Sequence, residues 1–353
     1  REVLFCQPHR DTALKAAREG IVLLKNEGVL PLNTDKYKKI LVTGPNADNQ
    51  AILGDWAMEQ PDTNVMTIFK GLKNASPSTS FTLCPMGYDL RSITEEQIKQ
   101  AEIEAFKNDL AIVVVGENSM RYHWGEKTCG ENSDRYDLEL VGLQQQLIER
   151  LYKTGIPVIV VLVNGRPLAT EWIADNIPVV VEAWEPGSFG GQALAEILYG
   201  MVNPSGKLPV TIPRHSGQIQ TYYNHKITSK WFSYVTGNSS PLYEFGYGLS
   251  YTTFKYDKLE VANKIIKKNE NIVISVDVTN TGKRQGTEII QLYIRDEVSS
   301  ATRPVKELKD FARVKLIPGE TKTITFTLPF NKLAFYDVNM NYTVEPGGFT
   351  VMV

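Results

Sequence analysis

The sequence predicts an α/β domain built on a mostly parallel sheet, followed by an all-β sandwich. Three observations predict it. Short, nearly continuous β-branched runs alternate with helical stretches through the first half of the chain. An interval rich in Pro, Gly and aromatic residues comes next, and beyond Tyr256 the apolar residues recur in twos. The expected organisation is an α/β sandwich domain over 1–215, a connecting segment wrapped over the protein at 216–256, and a β-sandwich over 257–353.

Leu14, Ala17, Ile21 and Leu24 recur at helical spacing, so a helix is expected over Asp11–Leu24, with Asp11 placed to cap its first turn. Strands are expected at Lys39–Thr43, Leu110–Val115, Val158–Val163 and Val179–Glu182, with helices at Thr94–Lys107 and Leu140–Lys153 between them. Runs this apolar suit strands covered on both faces. The tight turn Asn164-Gly165-Arg166-Pro167 is expected to use Gly165 at positive φ. Phe189-Gly190-Gly191 is expected to open a helix where small residues allow close packing. In the last part, Ile272, Ile274, Val276 and Val278, then Ile324, Phe326 and Leu328, alternate around turn signals at Asn280-Thr281-Gly282 and Pro318-Gly319, the pattern of an antiparallel sandwich.

The 353 residues are 42% hydrophobic, enough for each part to close a core, and 38 basic against 40 acidic residues give a formal charge of −2. No basic field favours nucleic acid, and a small neutral partner fits the balance. The longest apolar runs, Pro157–Val163 and Pro178–Ala183, fall short of the roughly 20 residues that cross a bilayer, so no membrane partner is expected. Arg1-Glu2-Val3-Leu4-Phe5 has neither a charged n-region nor an h-region and no initiating Met, which suggests a mature or excised piece, periplasmic or secreted. Cys6, Cys84 and Cys129 are odd in number and widely spaced, leaving room for one bridge but giving neither a disulfide framework nor a zinc pattern. Cys129 reads as a packed thiol. His9, His123, His215 and His225 show no paired ligand spacing, and no Gly-x-Gly-x-x-Gly or Walker pattern appears, so neither a metal nor a nucleotide is expected.

Chemistry is expected in the polar loop after Leu110–Val115. Glu131, in Gly130-Glu131-Asn132-Ser133-Asp134-Arg135, is a carboxylic acid with a cation four residues on, close behind a buried strand and well placed to deliver a proton. Gly116-Glu117-Asn118, Gly130 to Arg135, Asn164-Gly165-Arg166-Pro167-Leu168, Asn203-Pro204-Ser205-Gly206-Lys207-Leu208-Pro209 and Phe245-Gly246-Tyr247-Gly248-Leu249-Ser250-Tyr251-Thr252 follow one another in order. Together they resemble the C-terminal part of a β-glucosidase of glycoside hydrolase family 3, and the resemblance covers nearly the whole chain.

The resemblance implies an α/β sandwich followed by a fibronectin type III-like domain, the activity of a retaining exo-β-glucosidase on β-linked oligosaccharides, and no cofactor. Retaining glycosidases use two carboxyl groups, a nucleophile and an acid/base. In the family the nucleophile lies on a preceding (β/α)8 barrel. Such a barrel needs about 250 residues, and this chain begins almost at its first sandwich helix, so the barrel is expected as a partner and the active site as incomplete. A homo-oligomer is compatible with the sequence.

Glu131 matches the family's proton donor, with Asp134 and Arg135 expected to organise the loop; a surface ion pair of Glu131 with Arg135 is the bland alternative. Glu117 is the rival acid/base, or else a carboxylate that accepts backbone N–H groups to hold the long loop. Glu126 is a third candidate, since the loop Arg121 to Glu126 departs in length from many relatives. Asp55 resembles the family's nucleophile segment only in Gly54-Asp55-Trp56, and its position after the first strand argues against that role. Trp56 matches an aromatic platform beside the aglycone sugar, the alternative being a core residue. Trp56, Arg135 and Glu117 are thus the expected substrate-binding residues. Two other functions remain in view: a β-xylosidase or related family 3 glycosidase, and a non-catalytic carbohydrate-binding or assembly module.

Overall fold

The computed structural model describes residues 3–219, 221–227 and 234–353. They fall into two compact units, one formed by the chain up to Ile219 with Pro241–Leu249, the other by Gln220–Ser240 with Ser250–Val353.

The first unit is a six-stranded sheet. Its strands are β1 (Val22–Asn26), β2 (Lys39–Thr43), β3 (Ser80–Cys84), β4 (Leu110–Gly116), β5 (Val158–Val163) and β6 (Val179–Glu182), in the order β1-β6-β5-β4-β2-β3. All neighbours are parallel except β1, which runs antiparallel on β6. Helices α1 (Gln7–Gly20), α2 (Ile68–Ala75), α3 (Glu95–Ala105), α4 (Gln144–Lys153), α5 (Glu171–Asn176) and α6 (Gly190–Leu198) connect and cover it. Leu41, Val113, Val115, Val158, Val160 and Val180 pack with Ile98 of α3, Leu147 and Leu151 of α4 and Ile173 of α5. The alternate residues Ile40, Val42, Ile112, Val114, Ile159 and Val181 point to the opposite face and are equally buried, so both faces are covered.

Several local expectations change. The first helix ends at Gly20, and Ile21 to Leu24 are buried on all sides and begin an edge strand. Asp11 lies inside α1 and does not cap it; Pro8 stands in the first turn instead. Thr94 and Gln97 form a reciprocal capping box that starts α3. Ser80–Cys84 is a strand the sequence reading passed over. Gly165 does not take a positive φ. Gly191 does serve close packing, because a Cβ there would lie 2.0 Å from the Thr67 carbonyl oxygen at the start of α2. All three cysteines are free thiols.

The second unit pairs β7 (Phe254–Val261), β8 (Ile272–Asn280) and β11 (Thr321–Leu328) in one sheet, order β11-β8-β7. A second sheet joins β9 (Gly286–Asp296), β10 (Glu307–Leu316) and β14 (Phe349–Met352), order β10-β9-β14. Both are antiparallel, and a small hairpin, β12 (Phe335–Tyr336) with β13 (Tyr342–Thr343), is appended. Every second residue of β8, and of β9 as far as Ile294, is buried, which is the alternation the sequence shows.

Candidate active site

Strand β2 leads outward to β3, whereas β4 returns on its other side and leads to β5 and β6. The sheet order therefore reverses between β2 and β4. In open parallel sheets the loops leaving the carboxyl ends of the strands part at such a point and make a crevice. Here the loop after β2 carries Gly54-Asp55-Trp56, and the loop after β4 carries Glu117 to Asp137.

Asp55 joins the two loops. Its Oδ2 accepts the backbone N–H of Glu131 at 2.6 Å, and its Oδ1 accepts that of Trp56 at 2.8 Å and Lys127 Nζ at 3.3 Å. Arg121 Nε adds an ion pair to Oδ1 at 2.9 Å. Burial pushes the Asp55 carboxyl up, but the hydrogen bonds from Glu131, Trp56 and Lys127 outweigh it and hold the group below the usual carboxylate range. Gly130 has φ +85, and a Cβ there would stand 2.4 Å from Asp55 Oδ2, so only glycine lets the chain approach this carboxylate.

Arg121 Nη2 donates to Glu131 Oε2 at 2.5 Å, and its guanidinium lies 3.6 Å from the centroid of the Trp56 ring. Lys127 is almost wholly buried and also donates to the Glu131 carbonyl at 3.1 Å. Glu131 is thus fixed at its backbone by Asp55 and Lys127, while its side chain remains 45% exposed. Trp56 is 73% exposed and has φ +59.

Glu117 differs in every respect. Its side chain has no exposure; its Oε1 pairs with Arg166 Nε at 2.9 Å and Arg135 Nη1 at 3.3 Å, and its Oε2 has no hydrogen-bond partner. Burial pushes its carboxyl up, against the pull of the two arginines. Arg135 is further tied to Asp137 at 2.5 Å and to the Glu139 carbonyl. Arg166 Nη2 donates to the carbonyls of Thr128 at 3.3 Å and Ser133 at 2.9 Å. Glu117 therefore holds the loop through two arginines, not through backbone N–H groups as expected. The alternative Glu131–Arg135 pair is not formed; Arg121 takes its place. Glu126 faces His123 at 3.4 Å on the turn Arg121–Glu126.

Sequence reading missed Arg121, Lys127, Arg166 and a second buried carboxylate layer. Ser119 Oγ donates to Glu185 at 2.5 Å, and burial pushes Glu185 up. Glu182, at the end of β6, accepts Trp184 N–H at 2.9 Å, and burial pushes its carboxyl up to about 8. The available signal was the pair of cations Arg121 and Lys127 bracketing Trp124. Cys129 lies buried here, and burial, reinforced by Glu117 and Glu185, pushes its thiol up, so it is no nucleophile.

The model of the glycosyl hydrolase family 3 C-terminal domain matches residues 21–251, and that of the fibronectin type III-like domain matches 288–353. A β-xylosidase from Formosa agariphila is 40% identical over 98% of the chain, and a periplasmic β-glucosidase from Salmonella typhimurium is 37% identical over the same share. The chain spans about half the length of these curated relatives, 48% of each. Among solved structures, a β-glucosidase from Erythrobacter marinus superposes with a TM-score of 0.88 at 35% identity, covering 99% of this chain and 49% of that one. A β-glucosidase from Listeria innocua in complex with glucose gives 0.89 at 31% identity, covering 99% and 48%. No helix among the described residues is long and apolar enough to cross a membrane.

Proposed function

The chain belongs to glycosyl hydrolase family 3, and on that premise we propose that it is the C-terminal portion of a retaining exo-β-glucosidase acting in the periplasm or outside the cell. It supplies Glu131 as the general acid/base and Trp56 as a platform for the leaving-group sugar. The observation that carries this reading is the contrast between the two carboxylates of the β4 loop. Glu131 is half-exposed on a backbone pinned by Asp55 and Lys127, and only its Oε2 is taken up by Arg121. Glu117 is sealed between two arginines.

In the first half-reaction Glu131 passes its proton to the glycosidic oxygen as the bond from the anomeric carbon to that oxygen breaks. A nucleophilic carboxylate from polypeptide outside this chain, a (β/α)8 barrel, takes the anomeric carbon. In the second, Glu131 removes a proton from water, which attacks the same carbon and frees the nucleophile. Carboxyl groups and water suffice. Glu117 and Arg135, placed at the substrate by the sequence, are assigned to holding the loop.

The test is Glu131→Ala in the complete polypeptide. Hydrolysis of glucosides with poor leaving groups should fall most, and azide should restore turnover of activated aryl glucosides, releasing the β-glucosyl azide. Retention of normal rates would remove Glu131 from the mechanism. The 40% identity to a β-xylosidase favours a second reading, xylose as the cleaved sugar; rates on p-nitrophenyl glucoside and xyloside separate the two. The isolated chain, lacking the nucleophile, should bind saccharides without turning them over.

A further inference from the structure

Trp124 sits on the short turn Arg121–Glu126 and is 51% exposed. Its indole face is open to a partner. The turn is held from behind. Arg91 Nη2 donates to the Gly125 carbonyl at 2.6 Å, the His123 ring stacks on Tyr88 with centroids 4.9 Å apart, and Lys127 N–H reaches the Trp124 carbonyl at 3.4 Å. Trp124 is therefore presented on a fixed support.

The cations around it are those of the candidate site. Lys127 Nζ lies 4.5 Å from the Trp124 ring centroid, and the Arg121 guanidinium is 5.7 Å from Trp124 and 3.6 Å from Trp56. Two exposed indoles thus share one arginine beside Glu131. Protein interfaces deplete Lys, Asp and Glu at their centre, whereas here the rings are interleaved with Lys127, Asp55 and Glu131. Aromatic faces that bury C–H surface, set among donors and acceptors for hydroxyl groups, suit a sugar better than an apolar protein surface.

We propose that Trp124 forms a second leaving-group subsite beyond Trp56, taking the next pyranose of a β-linked oligosaccharide, so that the substrate class is chains of three or more sugars. This rests on the reading of Glu131 and Trp56 as acid/base and platform. On the isolated chain, the leaving-group side would then hold one sugar on Trp56 and two when the ligand is a disaccharide.

The experiment titrates the chain with glucose, cellobiose and laminaribiose while following the indole N–H resonances by NMR, assigned through Trp56→Phe and Trp124→Phe. Glucose should move the Trp56 resonance alone, and at least one disaccharide should move both and bind about two- to tenfold tighter than glucose. Trp124→Ala should abolish that gain while leaving glucose binding within about twofold; Trp56→Ala should weaken all three ligands. A Trp124 resonance unmoved while Trp56 is saturated would overturn the subsite, as would disaccharide affinity unchanged by Trp124→Ala. If no sugar moves either ring, the inference also fails, and the role of Glu131 is still decided separately by azide rescue.

Discussion

The carboxylate of Asp55 accepts the backbone N–H of Glu131 at 2.6 Å, so the position of the proposed proton donor is set by a residue on a different strand's loop. The same carboxylate meets Arg121, which reaches the far end of the Glu131 side chain. Glu131 is thereby held at both ends of its residue, and Asp55 works as a clamp.

Asp55→Asn should lower stability by about 1–3 kcal/mol, because the amide presents a donor toward Arg121, Lys127 or the Glu131 N–H. The folded-state carboxyl titrates below its ordinary 3.8, so its contribution is complete above that value and is lost as pH falls through the lower one. Urea unfolding of both proteins across acidic pH should show the difference narrowing below pH 3.8. A difference that stays constant there would show that charge is not what the clamp uses.

Glu117→Gln leaves Arg135 and Arg166 facing a neutral amide at a fully buried position, a change worth about 3 kcal/mol. Glu131→Gln, at a half-exposed position, should cost less than about 1 kcal/mol. Denaturation midpoints of the two variants should separate accordingly, and equal losses would refute the division between structural and chemical carboxylates.

Burial pushes Glu182 up to about 8 from 4.5, so the folded chain keeps a proton that the unfolded chain releases above pH 4.5. Wild-type stability should therefore fall between those values relative to Glu182→Gln. The variant should gain about 2–4 kcal/mol by pH 8 while matching wild type at pH 4. Parallel stability curves would mean that Glu182 is ionised in the folded protein.

Gly191→Ala should cost about 3 kcal/mol, because the new methyl meets the Thr67 carbonyl oxygen at 2.0 Å and α6 must move from α2. Thermal melting checks this, and an unchanged midpoint would show that the contact is loose.

Much of the sheet was legible because its strands are continuous apolar runs: Lys39–Thr43, Val158–Val163 and Val179–Glu182 appear at their expected limits. Ser80–Cys84 was not, since an edge strand needs only a half-buried, mixed sequence. Ile21 and Leu24 fitted a helical stripe by spacing, but Gly20 ends the helix and the next residues are apolar on every side. At the site, Glu131 and Trp56 were visible as residue types after a strand, whereas their partners were not. The spacing of Glu131 and Arg135 suggests an ion pair only on a helix. The loop is irregular, and Arg135 turns to Glu117 and Asp137 while Arg121 meets Glu131. Pairings set by chain crossing leave no local trace.

The antiparallel strand β1 lies at the start of the sequence yet pairs with β6, whose residues come near the end of the sheet's own run. Closing so long a loop must precede any reward from that pairing. During synthesis the first strand therefore has no template until Val179–Glu182 has left the ribosome, and Ile21 to Leu24 travel as an uncovered apolar segment while the other strands of the sheet are made. A chaperone that meets this sheet while it is being made would find an apolar binding segment there.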